Sequence, residues 1–148
     1  MKRNINLVAV AAIVLLVIAV AFNKKQTEPW RPDQLIEPKD LAPVINSSAE
    51  VKPLIISIGP AGLIKDAVTV GAVHEKENMD KLKEVLSKEQ RDREIVIYCG
   101  CCPFEVCPNI RPAFKLLNEM KFTNQKLLHL PHNLKADWIN YGYPMTKQ

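Results

Sequence analysis

The chain has 148 residues, 47% of them hydrophobic and 24% charged, with a formal net charge of +4. That composition lies in the globular range and speaks against a disordered chain, and once an apolar N-terminal segment is set aside the remainder suits one ordinary domain. The positive surplus comes from lysines scattered along the sequence, with no basic stripe interleaved with aromatic side chains, so no nucleic-acid partner is expected.

Residues 1–23 read as a signal or anchor segment. Lys2 and Arg3 precede an uncharged run over residues 7–22, and Asn23, Lys24 and Lys25 close it. A helix of that length spans roughly 24 Å at about 1.5 Å per residue, short of a hydrocarbon core near 30 Å unless Ile5 and snorkelling lysines extend it. Ala19-Val20-Ala21 has the small residues a signal peptidase accepts, but the helix break usual before a cleavage site is missing. The expectation is an uncleaved transmembrane anchor, with the rest of the chain exported to the periplasmic or extracytoplasmic side.

Residues 24–37 are charged and contain Pro29 and Pro32, the composition of a linker. The domain proper is expected over residues 38–148. Pro38 opens a short helix over residues 38–45. An apolar run at residues 54–58, between Pro53 and Gly59, has the form of a strand covered on both faces. A weaker strand is expected at residues 69–74. An amphipathic helix over residues 79–86 places Met79, Leu82, Val85 and Leu86 on one side. Another apolar strand follows at residues 94–98. Beyond a cysteine-bearing loop, a helix opens at Pro112, with Phe114, Leu116, Leu117 and Met120 as its apolar face. A last strand at residues 125–130 and a helix over residues 134–141, carrying Trp138 and stopped by Gly142, complete the chain.

Strands alternating with helices predict an α/β domain, a parallel sheet flanked by helices. Such sheets present their working surface at the carboxyl ends of the strands. Gly59-Pro60, His74, Cys99 and Pro131-His132-Asn133 are all expected to face one crevice there. His132 is the histidine best placed for a role, whereas His129, inside a strand, reads as structural.

All four cysteines, Cys99, Cys101, Cys102 and Cys107, fall in this strand-to-helix loop. A thiolate or bound anion is stabilised by the free amides and dipole of a helix N-terminus and by a nearby cation, which Arg111 supplies. One reading is therefore a reactive sulfur. A second is a structural disulfide joining Cys99 or Cys102 to Cys107 in an oxidising compartment. A third is a metal site in which Cys101, Cys102 and Cys107, with His132, hold zinc, copper or an iron-sulfur cluster.

Ile95-Val96-Ile97-Tyr98-Cys99 resembles the strand of the rhodanese-like domain family that ends in tyrosine and the sulfur-carrying cysteine, and Arg111 is similar to that loop's arginine. Gly71-Ala72-Val73-His74 looks like the segment entering the second strand. Trp138 with Gly142-Tyr143-Pro144-Met145 resembles the C-terminal signature. The resemblance runs from about Leu35 to Met145. It implies a sulfurtransferase-like variant with an enlarged cysteine-rich loop, of thiosulfate sulfurtransferase type if active. In it Cys99 would accept sulfane sulfur as a persulfide, Arg111 would pair with the anionic donor or the persulfide, and Cys107 would act as a resolving thiol. The implied partners are a small sulfur-donor anion and a thiol acceptor, with no cofactor required. The oligomeric state is not legible in the sequence.

Overall fold

The computed structural model describes residues 28–147, so the anchor expected at residues 1–23 lies outside the described residues. Among the described residues, no helix is long and apolar enough to cross a membrane. Five strands, β1 (Leu35–Ile36), β2 (Leu54–Ser57), β3 (Val68–Thr69), β4 (Ile95–Tyr98) and β5 (Gln125–Leu128), form one sheet in the order β1-β5-β4-β2-β3. Every pairing between them is parallel, so all five carboxyl ends meet one edge. Among the described residues, four helices accompany the sheet: α1 (Pro38–Asn46), α2 (Lys76–Ser87), α3 (Ile110–Glu119) and α4 (Leu134–Asp137).

The expected α/β parallel sheet is thus present, and strand alternation builds its two cores. Ile95, Ile97 and Cys99 point into a cluster with Leu82 and Leu86 of α2 and Ile110, Phe114 and Leu117 of α3. Val96 and Tyr98 point the other way, against Leu41 and Ile45 of α1, Leu134 of α4 and Trp138. The central strand β4 is buried along its whole length, which explains why its sequence is continuously apolar instead of alternating.

Several boundaries differ from the sequence expectation. Leu35 and Ile36, read as linker, pair with Leu127 and Leu128 as an edge strand. Trp30 lies even earlier in that segment and packs edge-on against Phe114, with 5.8 Å between ring centroids. The strand expected at residues 69–74 is cut to Val68–Thr69, because β3 is an exposed edge with one neighbour. Helix α3 starts at Ile110, not Pro112; a proline in the first turn sacrifices no helical bond, since the N–H it lacks has no partner there. The last helix is shorter than expected: α4 ends at Asp137, Trp138 leaves helical geometry with φ −131° and ψ −60°, and a 3₁₀ turn over Ile139–Tyr141 runs to Gly142. Burial of the whole Trp138 side chain, whose Nε1–H donates to the Pro144 carbonyl at 3.1 Å, wins over helix continuation.

Candidate functional site

Cys99 is the first residue after β4, at the carboxyl edge of the sheet, and its side chain is inside the protein at 1% exposure. Two glycines make that possible. A Cβ at Gly59, in the loop after β2, would lie 2.3 Å from the Cys99 sulfur, so only a residue without a side chain fits against it. Gly100 turns the chain at φ +75°, where a Cβ would meet that of Leu134 at 2.8 Å. The Gly100 carbonyl accepts from the Leu134 N–H at 2.9 Å, which pins the loop to the start of α4.

Three sulfurs converge. The ligand atoms of Cys99, Cys101 and Cys107 all lie within 4.8 Å of one another. Cys99 Sγ is 3.2 Å from Cys101 Sγ, which is 3.3 Å from Cys102 Sγ. All four thiols are free; Cys99 and Cys107 are buried, Cys102 is half-buried and Cys101 is exposed.

Donors surround the Cys99 sulfur. The thiol of Cys107, the side-chain amide of Asn109, and the backbone N–H and thiol of Cys101 together hold its pKa down to about 5, against burial, which pushes the other way. The Asn109 Nδ2 donates at 3.2 Å. The neighbouring thiols move oppositely, because donating to a thiolate favours keeping the proton. Cys101 is pushed up to about 12, by desolvation of a sulfur turned toward Cys99 and by its donation to Cys99 and Cys102. Cys107 is pushed up by donation to Cys99 and then by burial, while the Asn109 N–H at the mouth of α3 opposes it. The arrangement is one negative charge centred on Cys99 with protonated thiols around it.

Asn109 is the residue that sequence reasoning missed. It is 2% exposed and precedes α3, but its side chain does not cap the helix. Its Oδ1 accepts from the His74 N–H at 2.9 Å and lies 2.9 Å from His74 Nδ1, so that ring nitrogen carries the proton. His74, in the turn just before α2, thereby joins Cys99 through one amide. An asparagine just before a helix was the available signal, but it reads as an N-cap.

The other expected site residues have partners of their own. The Arg111 guanidinium pairs with Glu28 at 2.6 Å and sits over the Trp30 ring at 5.7 Å, held by the segment before β1. His132 is exposed, and its Nδ1 lies 2.8 Å from Asp137, whose other oxygen accepts the His132 and Asn133 N–H groups. That is a local turn, and His132 is not among the groups that converge with the thiols. His129 Nδ1 lies 2.7 Å from Glu37, and its ring meets Phe104 edge-on at 4.7 Å.

Fold and site together define a parallel α/β domain with a thiol cluster at the sheet's carboxyl edge. Among solved structures, the chain is similar to EanB, seen as a cysteine-to-serine variant in complex with hercynine, at TM-score 0.53 and 20% sequence identity. The match covers 77% of this chain and 27% of that one, so the chain spans about a quarter of the neighbour's length. At that identity the likeness concerns the fold alone. No family model matches the chain, and no curated protein matches it in sequence.

Proposed function

We propose that this chain is a membrane-tethered, exported rhodanese-like protein that handles sulfane sulfur through Cys99. The observation that carries the reading is the buried sulfur at the end of β4, ringed by two other thiols and the Asn109 amide. The outer sulfur of an anionic donor such as thiosulfate passes to the thiolate there. The donor's S–S bond breaks, sulfite leaves with the electron pair, and Cys99 carries a persulfide. An acceptor thiolate then takes the outer sulfur and Cys99 leaves as thiolate. The donors that hold the charge in the resting site hold it again when Cys99 leaves. No cofactor takes part. The apolar run at residues 7–22 between basic flanks supports the tether.

The test is intact-mass analysis of the reduced full chain after exposure to thiosulfate or inorganic polysulfide. One added sulfur, removed by cyanide, is expected, and Cys99→Ser should hold no sulfur that survives brief treatment with a small thiol. Equal retention in that variant would refute the assignment.

A second reading rests on the same three sulfurs. Thiolates within 4.8 Å of one another suit a soft ion, zinc or copper(I), or a cluster. Elemental analysis of anaerobically purified protein decides: a stoichiometric metal released by thiol alkylation favours holding over transfer.

A further inference from the structure

We propose that Cys101 is the thiol that meets the sulfur donor and the acceptor, and that sulfur passes between it and the buried Cys99. This rests on the sulfur-transfer reading and adds a direction to it. Displacement at sulfur requires the attacking and leaving atoms to lie in line through the sulfur being transferred. Cys99 offers almost no surface for such an approach: it is 1% exposed, and the Gly59 backbone lies against its sulfur. Cys107, equally buried, offers no alternative route. Cys101 is exposed, yet its sulfur is 3.2 Å from that of Cys99.

The spacing also suits the step. Two S–S bonds of about 2.05 Å end to end set the outer sulfurs roughly 4 Å apart, somewhat more in a stretched transition state. The Cys99 and Cys101 sulfurs, 3.2 Å apart inside a group that spans 4.8 Å, reach that separation by a small turn of the exposed Cys101 side chain. Loading comes first: the Cys101 thiol gives its proton to solvent and its sulfur attacks the outer sulfur of the donor, the donor's S–S bond breaks, and sulfite leaves with the electron pair. The Cys101 persulfide then presents its outer sulfur to the Cys99 thiolate. A bond forms from Cys99 to that sulfur, the bond from Cys101 breaks, and Cys101 leaves with the electron pair and takes up a proton. The sulfur count and oxidation levels are unchanged, so no oxidant or reductant is needed. Release runs the same step backwards, to an acceptor thiol at the surface.

The experiment is rapid-quench alkylation of the reduced full chain after mixing with thiosulfate, read by peptide mass spectrometry. In the wild type, added sulfur should appear on Cys101 first and decline as it rises on Cys99. Cys101→Ser should load Cys99 at least about tenfold more slowly, since the buried Cys99 sulfur must then reach the donor itself and access sets the rate. In Cys99→Ser the sulfur should stop at Cys101 and be lost quickly to added thiol. Wild-type loading of Cys99 in Cys101→Ser, or persulfide on Cys99 with none on Cys101 at any time, overturns the relay and leaves sulfur transfer standing. A wild type that takes up no sulfur overturns both.

Discussion

Replacing Gly59 with alanine tests the packing that sets the Cys99 sulfur in place. The new methyl would stand 2.3 Å from Cys99 Sγ, 3.1 Å from the Cys99 carbonyl oxygen and 3.4 Å from its Cα. Restoring an ordinary contact needs roughly 1 Å of separation, and the fixed backbone on one side directs that movement into the sulfur. The contacts to Cys101 Sγ and Asn109 Nδ2, each 3.2 Å, do not survive such a shift. Overpacking of this kind costs about 1–3 kcal/mol, or roughly 5 °C or more in Tm for a domain of this size. The sharper readout is acidity: with its donors lost, Cys99 moves from about 5 back toward its ordinary 9.0. At pH 7 that change lowers the thiolate fraction by about a hundredfold, but a more basic thiolate is intrinsically more nucleophilic, and the two effects nearly cancel in the rate. The midpoint of the alkylation profile is therefore the quantity to measure, with iodoacetamide and site-resolved mass spectrometry from about pH 4 to pH 10. A midpoint still near 5 in Gly59→Ala, with Tm unchanged, would refute the packing argument.

The same cluster sets a pH dependence of stability. The folded Cys99 thiol lies at about 5 and the unfolded one near 9.0, so the unfolded chain binds more protons between them and stability rises with pH across that window. Above pH 9 the raised Cys101 and Cys107 thiols reverse the slope, so the wild-type minus Cys99→Ser difference in urea midpoint should climb from pH 5 to pH 9; a flat difference would contradict the assignment. Asn109→Ala leaves the His74 N–H without its acceptor and takes one donor from Cys99, for a loss of about 1–3 kcal/mol and a raised alkylation midpoint. Asn109→Asp should raise that midpoint further, because it sets a second negative charge beside the thiolate. Trp30→Ala removes the platform under Arg111 and the contact to Phe114, and should cost about 2 kcal/mol in chemical denaturation if the segment before β1 belongs to the domain; no loss would show that it does not.

The parts of the fold legible in the sequence were those set by long, one-signed patterns. Residues 54–58 and 94–98 could be read as buried strands because apolar residues dominate them, with only Ser57 inside the first and Glu94 opening the second, and their placement at the centre of a parallel sheet follows. Leu35–Ile36 could not, since two residues carry no periodicity and the strand exists only through its pairing with β5. The end of α4 was misread because the fully buried Trp138 breaks a locally plausible helix. In the site, the cysteine run announced itself by composition. Its geometry did not: Arg111, the cation expected beside the thiols, pairs with Glu28 and sits over the Trp30 ring, residues far away in sequence. Donors to the thiolate come instead from neighbouring thiols and from Asn109, whose partner His74 is 35 positions away.

Alternation at the end of β4 ties these features together. Tyr98 and Cys99 are consecutive and so face opposite sides of the sheet, and each grips the loop after β2 from its own side. Tyr98 Oη accepts from the Ile64 N–H at 3.0 Å and donates to the Gly62 carbonyl at 3.1 Å, while the Cys99 sulfur rests on Gly59. The phenol is fully buried, and burial pushes its pKa up, so it keeps its proton and stays a donor wherever the thiolate forms. A loop clamped at both points holds the wall behind Cys99 rigid, which leaves movement of Cys101, on the open side, as the easiest way to admit another sulfur. Loss of the clamp in Tyr98→Phe should therefore loosen access to Cys99 directly, and bring the loading rate of a Tyr98→Phe, Cys101→Ser double variant back toward that of the wild type.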